Sequence, residues 1–226
     1  MSTKAGQLHL NDYRTALIRW IQVREVDGIV FCEGSGADLS DLQAIASAAQ
    51  SQRQQVEFLS FNGQDFDPSL GRGYGEMRII RHAVEHSELI ARAKLIIKIT
   101  GRLFIPNFAS IAKDAARSGD IDLICDLHSN LTSADSRVFC ATRTFLQEYL
   151  LPYGEIVNDS NGIYFENALA RAAHRAMADG RRFSLPTRAP RVNGVDASKN
   201  QRISAGMVKQ GMRQLLLSIK AFVLKR

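Results

Sequence analysis

Short β-branched runs alternate with amphipathic stretches along the first two thirds of this chain, and that alternation limits the fold more than any other feature. VDGIVFC, VEFLSF, KLIIKIT and IDLICDL are apolar segments of strand length, the first running on into GSG. Between them stand stretches of helical period. LNDYRTALIRWI places Tyr13, Leu17, Trp20 and Ile21 on one face behind the capping-type Asn11 and Asp12. ADLSDLQAIASAAQSQ does the same with Leu39, Leu42, Ile45 and Ala49, capped by Asp38 or Ser40, and residues 75–93 form another amphipathic helix. TRTFLQEYL reads as a further helix. Strands joined through helices run parallel and are covered on both faces, so the expected class is α/β with a largely parallel sheet. The Gly-, Asp- and Pro-rich NGQDFDPSLGRGYG after VEFLSF reads as a loop of the length that carries function.

Beyond Leu151 the rhythm changes. YFENALARAAHRAMADG is a long helix, RRFSLPTRAPRVNGVDASKNQR an irregular basic loop, and AGMVKQGMRQLLLSIKAFVLKR a basic amphipathic helix. In that last helix Met207, Met212, Leu215, Leu216, Ile219, Phe222 and Val223 recur at helical spacing among Lys209, Arg213, Lys220, Lys225 and Arg226. Charge divides in the same place. Residues 171–226 hold 13 Lys and Arg against Asp179 and Asp196, a balance of +11, which leaves the other 170 residues with 16 basic and 21 acidic side chains, or −5. One face is therefore expected to meet an anionic partner: a phosphate-bearing molecule, nucleic acid or an anionic membrane surface. Nucleic acid is not the expected one, because no RNP, zinc or helix-turn-helix pattern is present and aromatics do not interleave with the basic run. The last helix has two readings. Its stripe inserts into the cytoplasmic leaflet with its cations at the headgroups, or the stripe packs on the sheet.

At 226 residues, 45% hydrophobic and 23% charged, the chain buries a core without covalent staples. Cys32, Cys125 and Cys140 lie inside apolar runs, odd in number and without metal-type spacing, and read as buried thiols of a reducing compartment. Lys220 interrupts LLLSIKAFVL, so no stretch approaches the about 18 apolar residues of a membrane span. MSTKAGQLHL lacks the apolar core of a signal peptide, and the expected location is cytoplasmic.

In open α/β sheets ligands bind at the carboxyl ends of the strands, and four clusters fall there. The first, CEGSGAD, could set Glu33 and Ser35 against a ribose or base, or be a plain capped turn. In the second, Gly71, Gly73 and Gly75 alternate with Arg72, Tyr74 and Glu76 at the opening of a helix, where backbone N–H groups could cradle a phosphate or simply form a loop. The third is Lys98-Ile99-Thr100-Gly101-Arg102, two cations at a strand end that suit a diphosphate or face solvent. The fourth runs from Asp126 through His128 and Asp135 to Arg137, suited to sugar hydroxyls or a cation, or to a structural ion pair.

In this order, IVFCEGSGADLSDL, VEFLSF, GRGYGEMRIIRHAVEHS, IIKITGRL, DLHSNLTSADSRVF and NGIYFENALARA resemble bacterial GT-A-like glycosyltransferases associated with surface-polysaccharide (capsule and lipopolysaccharide) biosynthesis. The resemblance spans residues 11–194. It implies a GT-A-like fold, residues 1–194 as the nucleotide-sugar and acceptor domain, and residues 195–226 as an appended basic helical segment. The expected activity is transfer of a sugar from a nucleotide-sugar donor to a saccharide or lipid-linked acceptor, in the cytoplasm and peripherally at the inner membrane. Donor contacts fall to Glu33, Ser35, Gly71, Gly73, Tyr74, Gly75, Glu76, Lys98, Gly101, Arg102, Asp126 and Arg137. Glu166, at the start of a helix, is the expected catalytic base, with Asp135 as the alternative and His128 as a third candidate.

Two departures from the family pattern stand out. The chain opens almost directly on its first helix, with GQLHL as the remnant of a first strand, so an incomplete or shortened N-terminus is expected. No DxD stands at the end of the third strand, where Thr100-Gly101-Arg102 appears, so no metal ligand is assigned; Mg²⁺ or Mn²⁺ stays an open question, with Lys98 and Arg102 as the cationic substitute. The competing reading is a non-catalytic GT-A-like binding or scaffold protein.

Overall fold

The computed structural model describes residues 4–49, 54–196, 201–204 and 207–224. The chain is a mixed α/β protein. Helix α1 (Lys4–Ile21) precedes strand β1 (Gly28–Glu33), α2 (Ser40–Ala49) and β2 (Gln55–Ser60). Next come α3 (Gly71–His86), α4 (Glu88–Arg92), β3 (Ile96–Ile99), β4 (Leu103–Phe104) and α5 (Phe108–Arg117). The remainder comprises β5 (Leu123–Ile124), β6 (Val138–Ala141), α6 (Phe165–Ala178), β7 (Phe183–Ser184), β8 (Asn193–Asp196), β9 (Gln201–Ser204) and α7 (Met207–Leu224).

The opening βαβ unit follows the sequence pattern. β1 and β2 pair in parallel from Gly28 opposite Gln55 to Glu33 opposite Ser60, with α2 as the crossover. Asp38 starts that helix, accepting the Ser40 N–H at 2.9 Å and the Ser40 hydroxyl at 2.9 Å. The expected single helix over residues 75–93 instead begins at Gly71 and breaks at Ser87. Ser87 Oγ accepts the Ile90 N–H at 3.0 Å and donates to the Glu57 carboxylate at 2.5 Å, while Glu57 also accepts the N–H groups of Glu88 and Leu89. A carboxylate from β2 thus satisfies the donors that a helix start leaves open.

The expectation of a largely parallel sheet does not hold beyond β1 and β2. β6 lies between β3 and β5 and runs antiparallel to both, β7 joins β5 in parallel, and β4, β8 and β9 form an antiparallel set. The reason is local. Between β5 and β6 the chain reverses through a tight loop, in which His128 N–H donates to Ser133 O and Leu131 N–H to His128 O. A reversal without a crossover helix brings the next strand back antiparallel. β6 is VFCA, buried at all four positions, so it lacks the alternation that marks a half-buried strand.

Three further differences follow from local chemistry. GQLHL is helical within α1 and supplies no strand. TRTFLQEYL winds as a wide π-type turn over Phe145–Leu150 and tightens into 3₁₀ geometry over Leu151–Ile156, where Pro152 cannot continue an α-helix. The boundary between residues 194 and 195 falls inside β8.

The principal core gathers around α6. Phe139, Phe145, Phe165, Leu150, Leu169 and Val157 are each at most 1% exposed, packed with Met77 and Val84 from α3 and with Leu123 and Cys125. The free thiols Cys125 and Cys140 are buried as expected, whereas Cys32 is only partly so. Burial pushes Cys140 up to about 12, and Cys32, half-buried beside Glu33 and Glu57, also up to about 12. All three stay protonated near neutrality.

Candidate functional site

The carboxyl ends of β1 and β3, the first turn of α6 and one face of α3 bring a polar network together. Lys98, near the end of β3, is 13% exposed at its side chain. Its ammonium donates to Glu76 Oε1 from α3, to Ser136 O at 2.6 Å and to Thr100 Oγ1 at 3.3 Å. It sits 5.3 Å from the Phe165 ring centroid and 5.8 Å from that of Phe139. With three donors and three acceptors, Lys98 is spent inward. Its charge neutralises Glu76 and ties β3 to the segment before β6.

Ser136 continues the network. It is 5% exposed, and its hydroxyl donates to Glu166 Oε1 at 2.6 Å. Glu166 stands in the first turn of α6, whose start is fixed by Asn167 accepting the Tyr164 N–H at 2.9 Å. A carboxylate there complements the helix dipole. Glu166 O also accepts the Ala134 N–H at 3.0 Å, so α6 is bonded to the 126–137 loop by backbone as well as side chain. Glu76, Lys98 and Glu166 are therefore members of one chain of hydrogen bonds.

A residue that the sequence pattern assigned to the core belongs here too. Tyr13, half-buried on α1, lies with the Arg102 guanidinium 5.8 Å from its ring centroid, and a Cβ on Gly101 would stand 3.0 Å from Tyr13 Cε1. Burial pushes the Tyr13 phenol above its ordinary value, against the Arg102 charge and with the help of Glu33, Glu76 and Asp12. Tyr13, Glu33, Glu76 and Arg102 thus share one electrostatic neighbourhood. Glu33 itself accepts the N–H groups of Ser35 at 2.8 Å and Ala37 at 3.3 Å, which makes CEGSGAD a self-capped turn.

The glycine cluster plays a different part from the expected phosphate cradle. Asp159 Oδ2 accepts the Arg72 N–H at 2.8 Å and the Gly73 N–H at 3.4 Å, so a carboxylate from a distant loop already occupies the start of α3. Gly71 has φ of 83°, and a Cβ on it would lie 2.2 Å from Asp159; at Gly73 the separation would be 3.0 Å. The glycines admit Asp159. Tyr74 and Gly75 face elsewhere. Tyr74 lines an open cleft of about 630 Å³ with Phe61, Phe66, Arg78, Arg81 and His82, and a Cβ on Gly75 would stand 3.3 Å from Phe66. Tyr74 and Glu76 are two residues apart, about 200° around the helix, so the cleft and the polar network lie on different faces of α3.

The 126–137 loop holds the remaining expected residues. Asp135 is gripped by Arg137 through Nε at 2.8 Å and through Nη2, and accepts the Arg137 N–H at 3.0 Å. Burial pushes the Asp135 carboxyl up, but Arg137, with a smaller contribution from His128, holds it below the usual carboxylate range. Asp135 N–H donates to Asp126 O at 2.9 Å, so the two acidic residues are neighbours across the loop. Asp126 pairs with Lys220 of α7 at 2.7 Å, and that ammonium also donates to Leu127 O at 2.9 Å. His128 is exposed, with Nδ1 2.7 Å from Ser133 Oγ. Among the described residues no group of three His, Cys, Asp or Glu side chains is gathered as a metal site requires, and Asp126 and Asp135 are each paired to a cation. These residues do not fit a divalent-metal site.

Comparison of the chain with protein-family models, with curated proteins and with solved structures finds no match.

Proposed function

We propose that the chain is a glycosyltransferase that moves a sugar from a nucleotide-sugar donor to a saccharide or lipid-linked acceptor in surface-polysaccharide biosynthesis. The observation that carries this reading is the Glu76–Lys98–Ser136–Glu166 network, which sets a carboxylate at a helix start beside a strand end that also bears Arg102. Glu166 takes the proton of an acceptor hydroxyl as its oxygen attacks the anomeric carbon; the bond from that carbon to the diphosphate breaks, and the electron pair leaves on the phosphate oxygen. The Ser136 hydroxyl orients the carboxylate. Arg102 meets the charge growing on the diphosphate, while Tyr13 lies against the same strand end as a cover for the donor. Lys98 acts through Ser136 and Glu76 as a positioning residue.

A second reading rests on Asp159, which fills the helix start where a phosphate was expected: the fold binds nucleotide without turning it over. Thermal-shift titration with nucleoside diphosphates, with and without Mg²⁺ or Mn²⁺, tests both readings. Expected is a rise in Tm with at least one nucleoside diphosphate that persists in EDTA. Replacing Arg102 by Ala weakens the interaction by about 1.5–3 kcal/mol, and Glu166→Gln keeps binding while lowering transfer by about 10²–10⁴-fold. Binding without transfer in the unaltered protein selects the second reading. No shift with any nucleoside diphosphate overturns both.

A further inference from the structure

Helix α7 is held to the protein through Gln214, Leu217 and Lys220. Gln214 accepts the Ala189 N–H at 2.9 Å and donates to Thr187 O at 3.1 Å, Leu217 is 3% exposed, and Lys220 reaches Asp126 and Leu127 O. Positions 214, 217 and 220 recur every three residues and fix the roll of the helix. The opposite face carries Met212, Leu215, Leu216 and Ile219, exposed by 58%, 61%, 58% and 51%. Of the two readings of this stripe, packing on the sheet is not found for these four described residues. Lys220, expected at lipid headgroups, is turned inward to the 126–137 loop. Phe222, Val223, Lys209, Lys225 and Arg226 lie outside the residues whose side chains are described.

We infer that this face of α7 docks on an anionic lipid bilayer, parallel to its surface. Four large apolar side chains held in water over two turns mark a surface awaiting an apolar partner. Charge chooses among partners. The segment that bears α7, residues 205–226, holds Lys209, Arg213, Lys220, Lys225 and Arg226 and no acidic residue, and it stays basic after Lys220 is paired to Asp126, so a second copy laid on the same face would bring two basic segments together. An anionic bilayer offers an apolar interior for the stripe and negative headgroups for the cations around it. Among the described residues no helix is long and apolar enough to cross a membrane, so α7 lies on the surface. Lys220 ties α7 directly to Asp126, on the loop that continues to Asp135, Ser136 and Arg137. A docked α7 therefore holds this loop near the headgroups. Resting on the transfer reading above, the acceptor it would present is the lipid-linked one.

Vesicle co-sedimentation of the full chain tests the docking with no sugar or nucleotide present, so its outcome is independent of the transfer reading. The probes are phosphatidylcholine vesicles with and without about 30% phosphatidylglycerol. Expected is pelleting on the anionic vesicles at least tenfold stronger than on the neutral ones, weakened by salt. Leu215→Glu/Ile219→Glu, on the exposed face, reduces it at least tenfold with Tm unchanged. Negligible pelleting on both vesicles, equal pelleting on both, or pelleting unaffected by the double variant overturns the proposal. So does light scattering that finds a dimer in the unaltered protein and a monomer in the double variant, which assigns the face to a second copy.

Discussion

Helix α6 buries Ala168, Leu169, Ala170, Ala172, Ala173 and Ala176 to 3% exposure or less, whereas α7 leaves Met212, Leu215, Leu216 and Ile219 more than half exposed. Both are amphipathic by sequence. In α6 small side chains let the helix sink among Phe139, Phe145 and Leu150, so its backbone becomes part of the core and its first turn a rigid support for Glu166. In α7 larger side chains stand on the outer face, and among the described side chains an amide, an ammonium and Leu217 make inner contacts. Periodicity tells which residues share a face of a helix. It does not tell what covers that face.

The sharpest break between the two helices is energetic. Leu169→Ala in α6 removes a fully buried side chain and leaves a cavity in the principal core, and should cost about 3–4 kcal/mol. Leu215→Ala in α7 should stay within about 0.5 kcal/mol. Urea denaturation of the two variants measures both. A cost above about 1.5 kcal/mol for Leu215→Ala would mean that the exposed stripe is covered in the folded protein, and the comparison would fail.

Next in size is the ion pair that joins the support to the strand. Lys98→Met leaves the Glu76 carboxylate, 30% exposed, without its cation and Ser136 O without a donor. The expected loss is about 2–3 kcal/mol. Replacing both residues, Lys98→Met with Glu76→Gln, should recover part of it, because no unpaired charge is left behind. Recovery of stability without recovery of transfer would assign Lys98 a positioning role for Glu166.

How much of this was legible beforehand depends on the range of each signal. β1, α2, β2, β3 and the start of α6 are local patterns, and YFENALARAA by itself puts Glu166 in the first turn of a helix, where the structure has it. β6 escaped because VFCA is buried on both faces and resembles a thiol's apolar surroundings as much as a strand. The antiparallel insertion went with it. Tyr13 shares a face with Leu17 at helical spacing, a pattern that any core helix shows, so nothing local marks its approach to Gly101 and Arg102. Asp159 filling the glycine turn and Lys220 meeting Asp126 join residues more than 80 positions apart, and no spacing rule reaches that far.

The loop between the two helices' anchors gives a smaller, pH-dependent contrast. Arg137 holds the Asp135 carboxyl below its ordinary value, so the unfolded chain binds this proton more readily than the folded one. The pair's contribution is present above the ordinary carboxylate pKa of about 4 and is lost as pH falls through the lower folded value. Arg137 is 34% exposed, which limits the effect to about 1 kcal/mol. Tm measured from about pH 6 down to about pH 2.5 should fall less steeply in Asp135→Asn than in the unaltered protein. Parallel curves would show that the pair adds nothing to folding.

The smallest expected effect isolates α7. Lys220 and Asp126 are 25% and 32% exposed, so their pair is screened on one side and worth about 1 kcal/mol, enough for a roughly fivefold change in local opening. Lys220→Met keeps the apolar stem and removes the charge, so any effect belongs to the ammonium and its two acceptors. Amide exchange in residues 207–224 should quicken by about that factor, while the amides of α6, which rest on buried contacts, should not change. Asp126→Asn should reproduce the result. The two together should do no more than either alone, because both cut the same link. Additive effects would mean that Lys220 holds α7 through Leu127 O and that Asp126 serves another partner. Slowed exchange on anionic vesicles, in the unaltered protein and in Lys220→Met alike, would then locate the docking energy in the outer stripe and leave Lys220 the task of aligning the loop beneath it.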